Sequence, residues 1–152
     1  MPTYFFDTSA FAKSYHPELG TAKVTAILSD ANNRNLISSL TVVEMQSVFA
    51  QKVRGGDIQI GDFQAIRRKL GGDIRANRIS VKGLLRRHQH AAEKLLVAHA
   101  PFRRLRTLDA LQLAVSIELR TTDNLDAFVV ADQHLAEVAR LEGLTVINPE
   151  VP

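Results

Sequence analysis

Ala127-Phe128-Val129-Val130-Ala131-Asp132 decides the fold: five apolar residues run without a polar break and end on an acid. A strand with one wet face alternates apolar and polar residues. A strand covered on both faces does not, and such strands belong to parallel sheets flanked by helices. Beyond this run the chain reads as a helix from Asp132 to about Leu141, stopped by Gly143, and a last strand over Leu144–Ile147 closed by Asn148-Pro149. On its other side, Thr107 can cap a helix carrying Ala110, Leu111, Leu113, Ala114 and Ile117, and Lys82–His99 is an amphipathic helix ended by Pro101.

Further back, Ile79–Val81 is a weak strand. Asp57 can cap a helix through Ile60, Phe63, Ile66 and Leu70 that stops at Gly71-Gly72, and a helix after Ser39–Thr41 carries Val42, Met45, Val48, Phe49 and Val53 up to Gly55-Gly56. Leu36–Ser38 is a short strand, Thr21–Ala31 has helical spacing, and Thr3–Phe6 is an aromatic-rich strand ending at Asp7, with Thr8 and Ser9 available as caps. Strands separated by helices predict an α/β fold with a mostly parallel sheet.

Four acids stand at the edges of these apolar segments: Asp7, Glu44, Asp109 and Asp132. Two end a strand and two lie early in a helix, which places all four at the carboxyl edge of the sheet, where such folds bind ligands. Each has a plainer reading, as a helix cap or a first-turn acid. Together they would repel one another unless a cation compensates them. Hard divalent ions such as Mg²⁺ or Mn²⁺ prefer oxygen ligands and work on phosphates. Asp126 precedes its strand and belongs at the opposite edge. Thr8, Ser9 and Thr107 are candidate hydroxyls to support the acids. The five histidines show no ligand or acid–base spacing, and no serine lies in a nucleophile-elbow pattern.

The length of 152 residues suits one domain, here 1–152, and 45% hydrophobic with 23% charged residues is ordinary for a globular protein. No apolar run approaches the roughly 20 residues that cross a bilayer. No signal sequence is read, and the absence of cysteine removes disulfides and thiolate sites, so the expected location is cytoplasmic, without membrane contact. The net charge of +3 hides an asymmetry. Arg67 to Arg106 holds twelve Lys/Arg against Asp73 and Glu93, a net +10, while the rest carries seven basic and fourteen acidic residues, a net −7. A block of this kind suits a polyanion, with an acidic protein as the competing partner.

The segments Phe6-Asp7-Thr8-Ser9-Ala10, Ser38-Ser39-Leu40-Thr41-Val42-Val43-Glu44, Leu108-Asp109-Ala110-Leu111-Gln112-Leu113-Ala114 and Phe128-Val129-Val130-Ala131-Asp132, in this order, resemble the PIN domain family, and within it the VapC-type toxins of toxin–antitoxin pairs. The resemblance covers nearly the whole chain. It implies a three-layer α/β/α sandwich with a central, mostly parallel sheet of about five short strands. It also implies a ribonuclease dependent on Mg²⁺ or Mn²⁺, a homodimer, and a cognate antitoxin that blocks the site. Asp7, Asp109 and Asp132 would face the metal. Glu44 would bind it through water or position the attacking water, and hydrolysis would leave a 5′-phosphate. The paired helices between Thr41 and Leu70 resemble the part that grips the antitoxin, so Phe49, Val53, Ile58, Ile60 and Phe63 are either core or partner contacts. One departure is Val130, where many members carry Thr or Ser two residues before the fourth acid. The alternatives are a PIN-type RNA-processing nuclease outside a toxin pair, a non-enzymatic basic RNA-binding α/β module, and a receiver-like domain. The last lacks support because the first-strand motif has no paired acid and no Lys follows a late strand.

Overall fold

The computed structural model describes residues 1–152. Five strands, β1 (Thr3–Phe6), β2 (Arg34–Ser38), β3 (Ser80–Lys82), β4 (Ala127–Val129) and β5 (Val146–Ile147), form one sheet in the order β3-β2-β1-β4-β5, and every neighbouring pair is parallel. Helices α1 (Thr8–Phe11), α2 (Thr21–Ser29), α3 (Ser39–Arg54), α4 (Ile60–Arg75), α5 (Arg86–His99), α6 (Thr107–Thr122) and α7 (Gln133–Leu141) make the connections. A short 3₁₀ turn over Ala12–Ser14 follows α1. No helix is long and apolar enough to cross a membrane.

The unbroken apolar strands have the expected cause. Side chains alternate between faces along a strand, and here both faces are covered. Phe5, Leu36 and Phe128 join Leu95, Leu113 and Leu135 in a core under α5, α6 and α7. Their chain neighbours Phe6, Ile37 and Val129 join Met45, Phe49 and Leu70 in a second core under α3 and α4. The result is the three-layer sandwich implied by the family resemblance. Of the apolar residues in excess between α3 and α4, Phe49 and Ile58 are buried core, Val53 and Phe63 are half-buried, and Ile60 is exposed.

Three helix starts differ from the sequence reading. The helix assigned to Asp57 begins at Ile60, because Asp62 Oδ2 reaches back to accept from Gln59 N–H at 2.8 Å and fixes the first turn there. The helix assigned to Lys82–His99 begins at Arg86, because Lys82 extends β3 and the backbone N–H of Leu85 is held by His88 Nδ1 at 2.9 Å. Thr107 is the first residue of α6 and Arg106 occupies the cap position.

The α5–α6 pair is fastened at its surface. Arg87 grips Glu118 with Nε at 2.6 Å and a second nitrogen at 2.9 Å, and His88 Nε2 lies 3.0 Å from the same carboxylate. The Arg87 hydrogen bonds hold the Glu118 carboxyl down at about 2. A depressed folded pKa contributes stability present above the ordinary carboxylate value and lost as pH falls through about 2. Glu118→Gln is therefore expected to flatten the fall in melting temperature between about pH 5 and pH 2. Thermal melts of both proteins across that range check it, and parallel curves would refute it.

Candidate active site

β1 is the middle strand, and the chain leaves it toward β2 and β3 on one side while β4 and β5 lie on the other. The switch in strand order thus falls between β1 and β4, where a doubly covered sheet opens a crevice at its carboxyl edge. Asp7 ends β1 and Asp132 follows β4 at this point. Asp126 lies at the other edge, where its Oδ2 accepts from Thr3 N–H at 2.7 Å.

Asp7 is buried. Its Oδ2 accepts from Ser9 Oγ at 2.6 Å and from Ser9 N–H at 3.2 Å, so it also caps α1. Burial, together with the neighbouring Asp109 and Glu44 charges, pushes its carboxyl up to about 6 against the pull of Ser9. Glu44, in the second turn of α3, accepts from Thr8 Oγ1 at 2.9 Å and Gln112 Nε2 at 3.2 Å. Burial raises its carboxyl too, and Asp109 adds to that, while the two hydrogen bonds and Arg106 oppose it. Asp109, in the first turn of α6, takes Arg106 Nε at 3.3 Å. Asp132 caps α7 by accepting from Leu135 N–H at 3.0 Å, and its other oxygen lies 3.5 Å from an Arg106 terminal nitrogen. The four acids that the sequence singled out therefore share one region, with Arg106 joining the Asp109 side to the Asp132 side.

Ser9 is the hydroxyl best tied to the acids. It donates to Asp7 and accepts from Ala131 N–H at 3.3 Å, bridging the ends of β1 and β4. Thr8 donates toward Glu44 and Thr107 is exposed. Val130 is fully buried in the core under α5–α7, so the hydroxyl missing at that position is replaced by packing.

Two contributors escaped the sequence reading. Arg106 was visible only as one charge in a basic block, although its place three residues before Asp109 was a usable signal. Gln112 stands within the segment Leu108–Ala114 that carries the family resemblance, but with no role assigned to it. A polar residue one turn after an acid, on the buried side of a helix, was the signal.

The donor set is all carboxylate oxygen, which suits a hard divalent ion in kind. Burial is the main reason the Asp7 carboxyl is raised, with the Asp109 and Glu44 charges adding to it, and a cation beside it would offset both. As they stand, no three of the acids are gathered into a ready ligand shell, and the Arg106 guanidinium supplies positive charge between Asp109 and Asp132.

The PIN domain family matches residues 4–141, so the chain belongs to that family. No curated protein sequence matches it at a significant level. Among solved structures it is similar to VapC20 of Mycobacterium tuberculosis, described as a sarcin–ricin-loop-cleaving toxin, with 17% identity, TM-score 0.67, and 97% of this chain and 98% of that one covered. It is also similar to VapBC2 of Rickettsia felis bound to promoter DNA, with 16% identity, TM-score 0.66, and 96% and 98% covered. FitAcB of Neisseria gonorrhoeae gives 17% identity, TM-score 0.65, and 96% and 97% covered. At these identities the likeness is one of fold.

Proposed function

We propose that the chain is a metal-dependent endoribonuclease, the toxin of a toxin–antitoxin pair, with residues 1–152 acting as a single nuclease unit. The observation that carries this reading is the convergence of Asp7, Glu44, Asp109 and Asp132 at the switch point of a PIN fold. Asp7, Asp109 and Asp132 would hold a Mg²⁺ or Mn²⁺ ion, with Glu44 beside them. The chemistry such an ion supplies is Lewis-acid polarisation of a phosphoryl oxygen and activation of water for attack.

The chain's own groups do the rest. Ser9 fixes the Asp7 carboxylate, and Thr8 fixes that of Glu44. Glu44 would bind the ion through water or position the attacking water. Arg106, its side chain 60% exposed, offers a guanidinium to a phosphate that approaches the acids. Without a basic rim an acid pocket repels RNA. Arg67, Arg68 and Arg75 on α4 and Arg86 at the start of α5 are exposed and add positive surface charge. Two similar structures, VapBC2 bound to a fragment of its promoter and FitAB bound to a DNA fragment, are two-component assemblies, which supports a cognate antitoxin as partner here. A second copy of the chain and a cytoplasmic setting complete the reading.

Asp7 and Asp132 both cap helices, which favours a second reading: the acids are structural and the chain is a basic RNA-binding module. Incubation of purified protein with mixed structured RNAs in Mg²⁺, Mn²⁺ or EDTA separates the two. Cleavage is expected with either ion and none in EDTA. RNA binding is expected to weaken steeply with salt as phosphate counterions are released. Binding that ignores EDTA, with no cleavage of any RNA offered, would support the module instead.

A further inference from the structure

Gln112 lies on α6, three residues after Asp109, and is 1% exposed among Leu113, Ala114 and Val115. A primary amide in such a place is costly unless its carbonyl and both N–H groups are bonded. Here they are, across three segments of the chain. Its Oε1 accepts from Ser38 Oγ at 2.7 Å. Its Nε2 lies 2.7 Å from Thr41 Oγ1, 3.2 Å from Thr8 Oγ1 and 3.2 Å from Glu44 Oε1.

Ser38 sets the direction of this network. As the cap of α3 its oxygen accepts from Thr41 N–H at 3.2 Å, so its single proton is left to donate to Gln112 Oε1. With the carbonyl end held there, the NH₂ end must point toward α3 and Glu44. The chain of bonds runs one way, from the backbone of α3 through Ser38 and Gln112 to a carboxylate, and such chains reinforce their members. Thr8 donates to the same Glu44 oxygen. Glu44 Oε2 takes no hydrogen bond from the protein. One oxygen is pinned and the other is free of protein partners.

We propose that Gln112 is a positioning residue for Glu44: its amide, aligned by Ser38, fixes one carboxylate oxygen so that the other serves the metal and the attacking water. The proposal rests on the ribonuclease reading. Gln112 touches neither substrate nor ion and acts through Glu44 alone.

The test is a double-mutant cycle of Gln112→Met, Glu44→Gln and the pair, read by calorimetric Mn²⁺ titration, by melting temperature, and by kcat and KM for RNA cleavage. Methionine keeps the volume and removes the amide. Gln112→Met is expected to weaken Mn²⁺ binding and lower kcat by about 10-fold or more, the usual effect of removing a support behind a ligand. KM for RNA should change by less than about twofold, because the phosphate contacts are untouched. In the Glu44→Gln background the same change should cost nothing further. Equal losses in both backgrounds, or a lowered melting temperature with unchanged Mn²⁺ affinity in the folded protein, would overturn the proposal. If Gln112→Met does not fold, Ser38→Ala frees the amide to turn and must show the same silence in the Glu44→Gln background. A harmless Glu44→Gln would defeat the site reading itself. A damaging Glu44→Gln beside a harmless Gln112→Met would defeat only this proposal.

Discussion

Asp7→Asn is expected to abolish metal-dependent cleavage and, in the same tube, to raise the melting temperature of the metal-free protein. On the proposed reading, the first effect follows from removing a charged oxygen that would hold the metal, a loss on the order of 10²–10³-fold or more. The second follows from the carboxyl raised to about 6 by burial and by its acidic neighbours. A group whose folded pKa lies above its unfolded value favours the fold at low pH, and that advantage is lost as pH rises through about 6. At pH 7 the ionised Asp7 therefore opposes folding, by at most roughly 2–3 kcal/mol. Asparagine removes the charge and keeps an oxygen to accept from Ser9. A gain of several degrees is expected at pH 7–8, shrinking toward pH 4. Added Mn²⁺ should raise the wild-type melting temperature by mass action and leave the variant unmoved. Scanning calorimetry with and without the ion reads all of this. A variant that is less stable than wild type at pH 8, or equally stabilised by Mn²⁺, would remove Asp7 from the site.

Phe128→Ala carries the largest expected cost in stability. Phe128 and Phe5 are both fully buried, face each other from β4 and β1 with ring centroids 5.5 Å apart, and lie in the core under α5–α7. Truncating a buried phenylalanine costs about 3–5 kcal/mol, from lost burial and the cavity left behind. Domains of this size hold only about 5–15 kcal/mol in total. A fall in melting temperature of roughly 10 °C or more is expected. Urea unfolding should show a lower midpoint with little change in slope. The β1–β4 pair also carries Asp7 and Asp132 at its ends, so Mn²⁺ affinity should suffer as well. A loss under about 1 kcal/mol would mean that the two rings are not packed as described.

The layers of the fold were legible because burial on both faces leaves a compositional trace. Ala127–Ala131 and Tyr4–Phe6 could not be half-exposed strands, and Phe5/Phe6 and Phe128/Val129 do divide between the two cores. The acids were legible because charge at the end of an apolar run is unusual. Helix starts were less so. Around Asp57 and Gln59, and again around Thr107, several polar side chains compete for the cap, and tertiary contacts choose. Lys82 looked helical but is drawn into β3, where its ammonium reaches Asp123 at 2.8 Å. Gln112 was hidden for the opposite reason. Its partners Ser38, Thr41, Thr8 and Glu44 are all more than 65 residues away in the chain, so nothing local announces that an amide in an apolar helix is fully bonded.

The central place of β1 also bears on how the molecule comes into being. Its partner β4 pairs Phe5 with Phe128, and the backbone of Thr3 is held by a side chain 123 residues further on. Contacts this distant in sequence close slowly. At translation speeds of about 5–20 residues per second, roughly 6–25 s separate the emergence of these strands from the ribosome. Asp7 waits through that interval beside an unpaired strand edge, and Asp132 emerges only after β4. The pocket between β1 and β4 therefore cannot close until the second of these strands has been made, and on the proposed reading no cutting precedes that moment.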